Sequence, residues 1–159
     1  MIPEGVFPET GGRVMNLQEP AVKMSKSRGA ESGTVLMLDS PDTIRKKLKT
    51  AVTDSGSEVR YDPDEKPGIS NLIELMTVVT GKSIQEIEAT YEGTGYGRFK
   101  EDIAEGIIEL LEPIKGRYNE LRADAAELDR LLALGAEKAR EASAPTLARM
   151  YERMGFTRP

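Results

Sequence analysis

Between Arg98 and Leu121, apolar side chains recur at Phe99, Ile103, Ile107, Leu110, Leu111, Ile114, Tyr118 and Leu121. A spacing of three or four over that length gathers one apolar stripe only on an α-helix, and such a stripe must be covered by other helices. The sequence before it offers them. Ser40-Pro41 is a helix start, the serine as N-cap and the proline at the first helical position, followed by Ile44, Leu48, Ala51 and Val52 on one face. A second helix is predicted from about Ser70 to Thr80, closed by Gly81. Ser83 and Glu86 form a capping box for a third, from Ile84 to about Tyr91. Pro113 is expected to kink the long helix, and Asp124 to cap a shorter one ending near Leu134. Gly135 then bends or breaks the chain before a terminal helix from Ala136 to Met154 that carries Pro145. From residue 39 onward the chain reads as a helical bundle.

The first 38 residues are different. Residues 1–12 are rich in Pro and Gly and read as loop, and Arg13 to Leu17 is a short strand candidate. Thr34 to Leu38 is short and apolar enough for a strand or a buried connection. Between them lies Lys23-Met24-Ser25-Lys26-Ser27, followed by Arg28 and Gly29.

Composition narrows the chemistry. The chain has no Cys and no His, which removes disulfides, thiolate metal sites, imidazole bases, Ser-His triads and the usual zinc ligands. Catalysis must then run on Lys, Arg, Ser, Asp, Glu or Tyr, and no metal ligands are expected. The absence of Cys fits a cytoplasmic protein, and no run of 18 apolar residues is present to span a membrane. Net charge is −5, but residues 23–49 hold seven cations against three carboxylates, a local +4 that leaves −9 elsewhere. A basic island on an acidic body suits a directed phosphate contact. Arg45 to Lys49 read equally well as the solvated face of a helix.

Two lysines three apart, with serines between and after them, can bring two ammonium groups and several polar donors to one anion. A short flap of that kind suits a triphosphate whose charge is about to move. Lys23 to Ser27 matches the signature loop of class I aminoacyl-tRNA synthetases. Downstream, Ala51 to Ser55, Arg60 to Asp62, Lys66 to Leu72, Tyr91 to Lys100 and Gly135 to Ala139 are similar to the tryptophan-specific bacterial enzymes of that class. The resemblance runs over essentially the whole chain.

That resemblance implies a mainly α fold in which residues 1–38 are the C-terminal edge of a Rossmann-like catalytic domain and residues 39–159 a helical anticodon-binding domain. It implies activation of tryptophan with ATP, expected with Mg2+, then transfer to tRNA(Trp), by an enzyme that is a homodimer. Lys26 and Lys23 are the catalytic candidates. Val14, Lys23, Met24, Ser25, Lys26 and Ser27 are the ATP-binding candidates, Val14 serving equally well as a buried strand residue. Arg60, Lys66, Arg98 and Lys100 are candidates for contacting tRNA. Pro67 and Gly68 can also simply shape a helix entry, which leaves Lys66 without an RNA role.

The upstream parts of such an enzyme, including a His-containing nucleotide motif and a Gly-x-Asp-Gln segment, are not in this sequence. The expectation is a C-terminal portion that by itself forms no tryptophanyl-adenylate. Two other readings are open: a non-catalytic helical module that binds tRNA or a protein, and the tyrosine-specific relative. The latter shares the loop but not the Lys66 to Leu72 or Tyr91 to Lys100 blocks.

Overall fold

The computed structural model describes residues 4–6, 8, 11–27 and 29–157. Its elements are a single 3-10 turn at Glu31–Gly33 and five helices: α1 (Pro41–Lys49), α2 (Pro67–Thr80), α3 (Ile84–Thr90), α4 (Tyr96–Ala123) and α5 (Ala125–Met154). The chain divides into two compact units, Met1–Lys115 and Gly116–Pro159.

Helix starts follow the side-chain chemistry. Ser40 Oγ accepts from the Thr43 amide at 3.2 Å, with Pro41 in the first turn of α1. Ser83 and Glu86 complete the reciprocal cap of α3, and Asp124 caps α5 through the Glu127 amide. Gly81 ends α2 at φ 70°, a left-handed conformation that costs glycine little.

The first unit is organised around Phe99, Leu17, Ile44, Leu48, Ile69, Leu72, Ile73, Ile87 and Ile103, all fully buried. They come from α1 to α4 and from the segment before α1, so Leu17 shares one core with the helices that follow it. The Tyr91 ring meets Phe99 edge-on with centroids 4.8 Å apart, and its hydroxyl donates to Asp102. Burial, helped by Asp102, pushes the Tyr91 phenol up to about 12. In the second unit, α5 has no buried residue, and Leu132, Leu147, Met150, Met154 and Phe156 are exposed.

Some expectations change. Among the described residues there is no strand: Arg13 to Leu17 contributes one isolated antiparallel bridge, Met15 to Lys23, while Thr34 to Leu36 is an irregular connection with Thr34 buried and Val35 packed on the core, followed by an exposed turn at Met37 and Leu38. One bridged pair gives too few ladder hydrogen bonds to make a strand. Helix α2 starts earlier than expected, at Pro67, because proline suits the first turn. Helix α4 runs through Pro113 as the single long helix expected, slightly longer at each end. The two helices expected after Asp124 are one, running through Gly135 and Pro145. A single glycine costs a helix only about 1 kcal/mol, too little to end one that is favoured on both sides. Arg45, Lys46 and Lys49 are exposed as a solvated face requires, but Lys47 is buried.

Candidate functional site

The lysine–serine loop grows from a narrow base. Asn16 N–H donates to the Val22 carbonyl at 2.8 Å and Met24 N–H to the Val14 carbonyl at 3.0 Å, enclosing the Met15–Lys23 bridge. Asn16 Oδ1 closes the turn inside that base by accepting from the Gln18 and Glu19 amides, at 2.8 and 3.1 Å. Val14 is half-buried and reaches Met24 through its carbonyl, while the Met24 side chain packs on the apolar core. One end of the loop is therefore fastened to the protein interior, and the residues beyond it project outward.

Lys23, Lys26 and Ser27 are exposed and Ser25 is half-buried. Neither Lys23 nor Lys26 takes part in an ion pair among the described residues. Ser25 Oγ lies 3.4 Å from Ser27 Oγ. The Ser25 carbonyl accepts from Thr34 Oγ1 at 3.1 Å. Ser25 and Lys26 line a cleft of about 150 Å³ with Gly29, Ala30, Glu31, Thr34 and Leu36. Gly29 has φ 87°, which suits glycine where the chain turns back. Arg28 lies outside the described residues.

Several residues that sequence reasoning did not single out hold this loop. Asn71 on α2 clasps Met15: its Oδ1 accepts from Met15 N–H at 2.8 Å and its Nδ2 donates to the Met15 carbonyl at 3.0 Å. Gly33 leaves room for Asn16, whose side chain occupies the space a Cβ would need, and its carbonyl accepts from Leu17 N–H at 2.9 Å. Lys47 Nζ donates to the Thr34 carbonyl at 2.8 Å and to Asp39 Oδ2 at 2.7 Å. No spacing in the sequence announces these partners, since each pair is brought together by tertiary folding from well-separated positions.

The other four cations lie away from the loop and apart in character. Lys66 Nζ is directed at Tyr96 Oη (3.0 Å), Asp54 (3.3 Å) and the Glu58 carbonyl, and lies 5.8 Å from the Tyr96 ring centroid. Lys100 Nζ donates to the Ala51 carbonyl at 2.8 Å and to Thr53 Oγ1 at 3.2 Å, and burial lowers its pKa. Both ammonium groups tie the segment after α1 to the chain further on. Arg60 pairs with Glu58, Asp62 and Glu65, and Arg98 with Asp102. Arg98 and Lys100 share the lining of a groove of about 550 Å³ with Arg45, Lys49, Asp102 and Glu105. Its mixed charge gives no single-sign surface.

Among the described residues, no group of three His, Cys, Asp or Glu side chains is placed to hold a metal ion. Nor is any helix among them long and apolar enough to cross a membrane.

Comparison with known proteins adds to this geometry. The chain is 46% identical over its whole length to a tryptophan–tRNA ligase of Leifsonia xyli, of which it covers 47%. It is 49% identical over 157 residues to the tryptophan–tRNA ligase of Enterococcus faecalis, covering 99% of this chain and 46% of that protein. Among solved structures, the tryptophanyl-tRNA synthetase of Mycoplasma pneumoniae shares the fold. That match has a TM-score of 0.83 at 23% identity, over 94% of this chain and 45% of the other. The enzyme from Campylobacter jejuni aligns with a TM-score of 0.65 at 28% identity, over 98% of this chain and 47% of that one. The chain spans about half the length of the curated relatives it matches. The family model described as tRNA synthetases class I (W and Y) matches residues 1–112. This chain belongs to the class I tRNA synthetase family that comprises the tryptophan and tyrosine enzymes.

Proposed function

We propose that this chain is the C-terminal portion of a tryptophan–tRNA ligase. Its residues 1–38 belong to the catalytic domain and residues 39–159 form the helical domain that binds the anticodon region of tRNA(Trp). In the intact, homodimeric, cytoplasmic enzyme a carboxylate oxygen of tryptophan attacks the α-phosphorus of ATP. The bond from that phosphorus to the bridging oxygen breaks and pyrophosphate leaves, with Mg2+ entering as part of the nucleotide substrate. The adenylate then passes its tryptophanyl group to a ribose hydroxyl of tRNA(Trp).

The first step needs orientation and charge neutralisation more than covalent help from the protein. Lys26 meets the negative charge that builds on the departing pyrophosphate. Lys23, at the fastened base of the loop, supplies a second cation. Ser25 and Ser27 donate to phosphate oxygens, and Val14 with the Met24 backbone borders the adenine. The observation that carries this reading is the contrast within the loop, whose base is bound to the core while both lysines are exposed. Tryptophan specificity rests on relatives 46% and 49% identical across nearly the whole chain.

The test is Lys26→Ala in the complete protein, read by tryptophan-dependent exchange of pyrophosphate into ATP. Loss of a donor to developing charge is expected to cost about 10²–10³-fold in rate. A rate within a few-fold of wild type would overturn the role of Lys26. Absence of any tryptophan-dependent exchange in the complete wild-type protein would overturn the function.

A further inference from the structure

The loop has two ends, and the second is fastened by a different device from the first. Ser25 is held at its carbonyl by Thr34 Oγ1 at 3.1 Å. Thr34 is itself buried, and its own carbonyl receives Lys47 Nζ from α1 at 2.8 Å. That ammonium is balanced by Asp39, whose Oδ2 lies 2.7 Å away and also accepts from the Leu36 amide at 2.9 Å. Lys115 of α4 donates to the Asp39 carbonyl. The Lys47 and Asp39 side chains are only 7% and 8% exposed. A buried ion pair this dry contributes little to net stability against an apolar pair, and its better-attested use is to fix a single arrangement. Here the arrangement is that of Thr34, and through it the backbone one residue before Lys26.

We infer that Thr34, locked by the Lys47–Asp39 pair, is a positioning residue for nucleotide activation, setting where the Lys26 ammonium is delivered. The inference deepens the function proposed above and rests on it. Thr34 touches no reacting atom. It acts through Ser25, so its contribution exists only while Lys26 is present. Sequence reasoning treated Thr34 as part of an apolar run and Lys47 as one of four surface cations, and the structure joins the two.

The decisive experiment is a double-mutant cycle in the complete protein, measured by tryptophan-dependent pyrophosphate exchange. Thr34→Val keeps the shape and removes the donor. It is expected to lower kcat/KM for ATP about tenfold, the scale of one well-placed hydrogen bond, with KM for tryptophan unchanged. Thr34→Ser restores the O–H and is expected to stay within about twofold of wild type. In a Lys26→Ala background, Thr34→Val is expected to cost less than about twofold, because coupled residues do not add. Asp39→Asn, which weakens the hold on Lys47, serves as the second probe and is expected to show the same pattern at about threefold. Full additivity with Lys26→Ala, an unchanged Thr34→Val, or a Thr34→Ser as poor as valine overturns the inference. Amide hydrogen exchange at Met24 to Ser27 reads the anchor without any reaction and is expected to quicken about tenfold in Thr34→Val. Unchanged exchange overturns the anchor even if the wild-type protein activates no tryptophan, which separates this failure from that of the proposed function.

Discussion

Asn71 and Met15 stand 56 residues apart, and the Asn71 carboxamide pairs with the Met15 peptide as a neighbouring strand would, accepting at 2.8 Å and donating at 3.0 Å. Asn71 is buried and Met15 half-buried, so water can replace the lost partner only in part. Asn71→Ala leaves an N–H and a C=O unpaired and is expected to destabilise the protein by about 2–4 kcal/mol. Urea denaturation checks the value. A loss under about 1 kcal/mol would show that the Met15 peptide finds other partners.

Gly68, in the first turn of α2, makes an opposite kind of contact. A Cβ there would run into the carbonyl oxygen of Val52, a backbone atom that cannot rotate away. Gly68→Ala is therefore expected to destabilise by about 1–3 kcal/mol, although alanine is the better helix former. Gly116, inside α4, is the control, since a Cβ there meets nothing within 4 Å. Gly116→Ala should stabilise by about 0.5–1 kcal/mol. Thermal melting of both variants decides whether space or propensity governs each position.

The helices were legible because their signals are local. Periodicity at Phe99, Ile103 and Ile107 marks a buried face, and the Ser83–Glu86 box marks an N-terminus within four residues of sequence. The loop at Lys23 to Ser27 was legible as a cluster of donors, and its exposed lysines fit that reading. What holds the loop was not. Asn71 lies on a helical face that would be read as core, and nothing in its neighbours points to Met15. Lys47 sits among three exposed cations, and its burial follows from Asp39 and Thr34 folding back over α1. Gly68 was readable as a helix entry, but the closeness of Val52 is a fact of tertiary packing. Gly135 inside α5 does not divide the helix, because a local preference of about 1 kcal/mol can be outweighed by its flanks.

Ile103 and Leu132 separate buried from exposed apolar residues on neighbouring helices of the sequence. Ile103 is fully buried in the first unit, and Leu132 in the second is 62% exposed. Ile103→Ala is expected to cost about 2–5 kcal/mol, the removed methylenes plus a cavity. Leu132→Ala should stay within about 0.5 kcal/mol in this chain. Circular dichroism melts on the two variants test the contrast, and a large loss at Leu132 would mean that the residue is covered in solution.

Tyr96, Asp54 and Lys66 form a cluster whose stability depends on pH in two directions. Tyr96 Oη lies 2.7 and 2.9 Å from the Asp54 oxygens and 3.0 Å from Lys66 Nζ. Burial pushes the Asp54 carboxyl up, but hydrogen bonds from Tyr96, the Gly56 amide and Lys66 outweigh it and hold it below its usual 3.8. A carboxyl depressed on folding stabilises above its unfolded pKa, and that contribution disappears as pH falls through the folded value. Lys66 moves the other way. Its hydrogen bond to Tyr96, partly opposed by burial, raises it above 10.5, so its contribution is present below that value and is lost as pH rises through the folded pKa. Tyr96→Phe removes the group that both shifts share. It is expected to cost about 1 kcal/mol on a plateau from about pH 5 to 9, with the gap from wild type closing on either side. Thermal midpoints measured across pH 2 to 11 check this (approximate limits set by the usual Asp and Lys values). A gap of constant size across that range would mean that the Tyr96 hydroxyl supports this region independently of either charge.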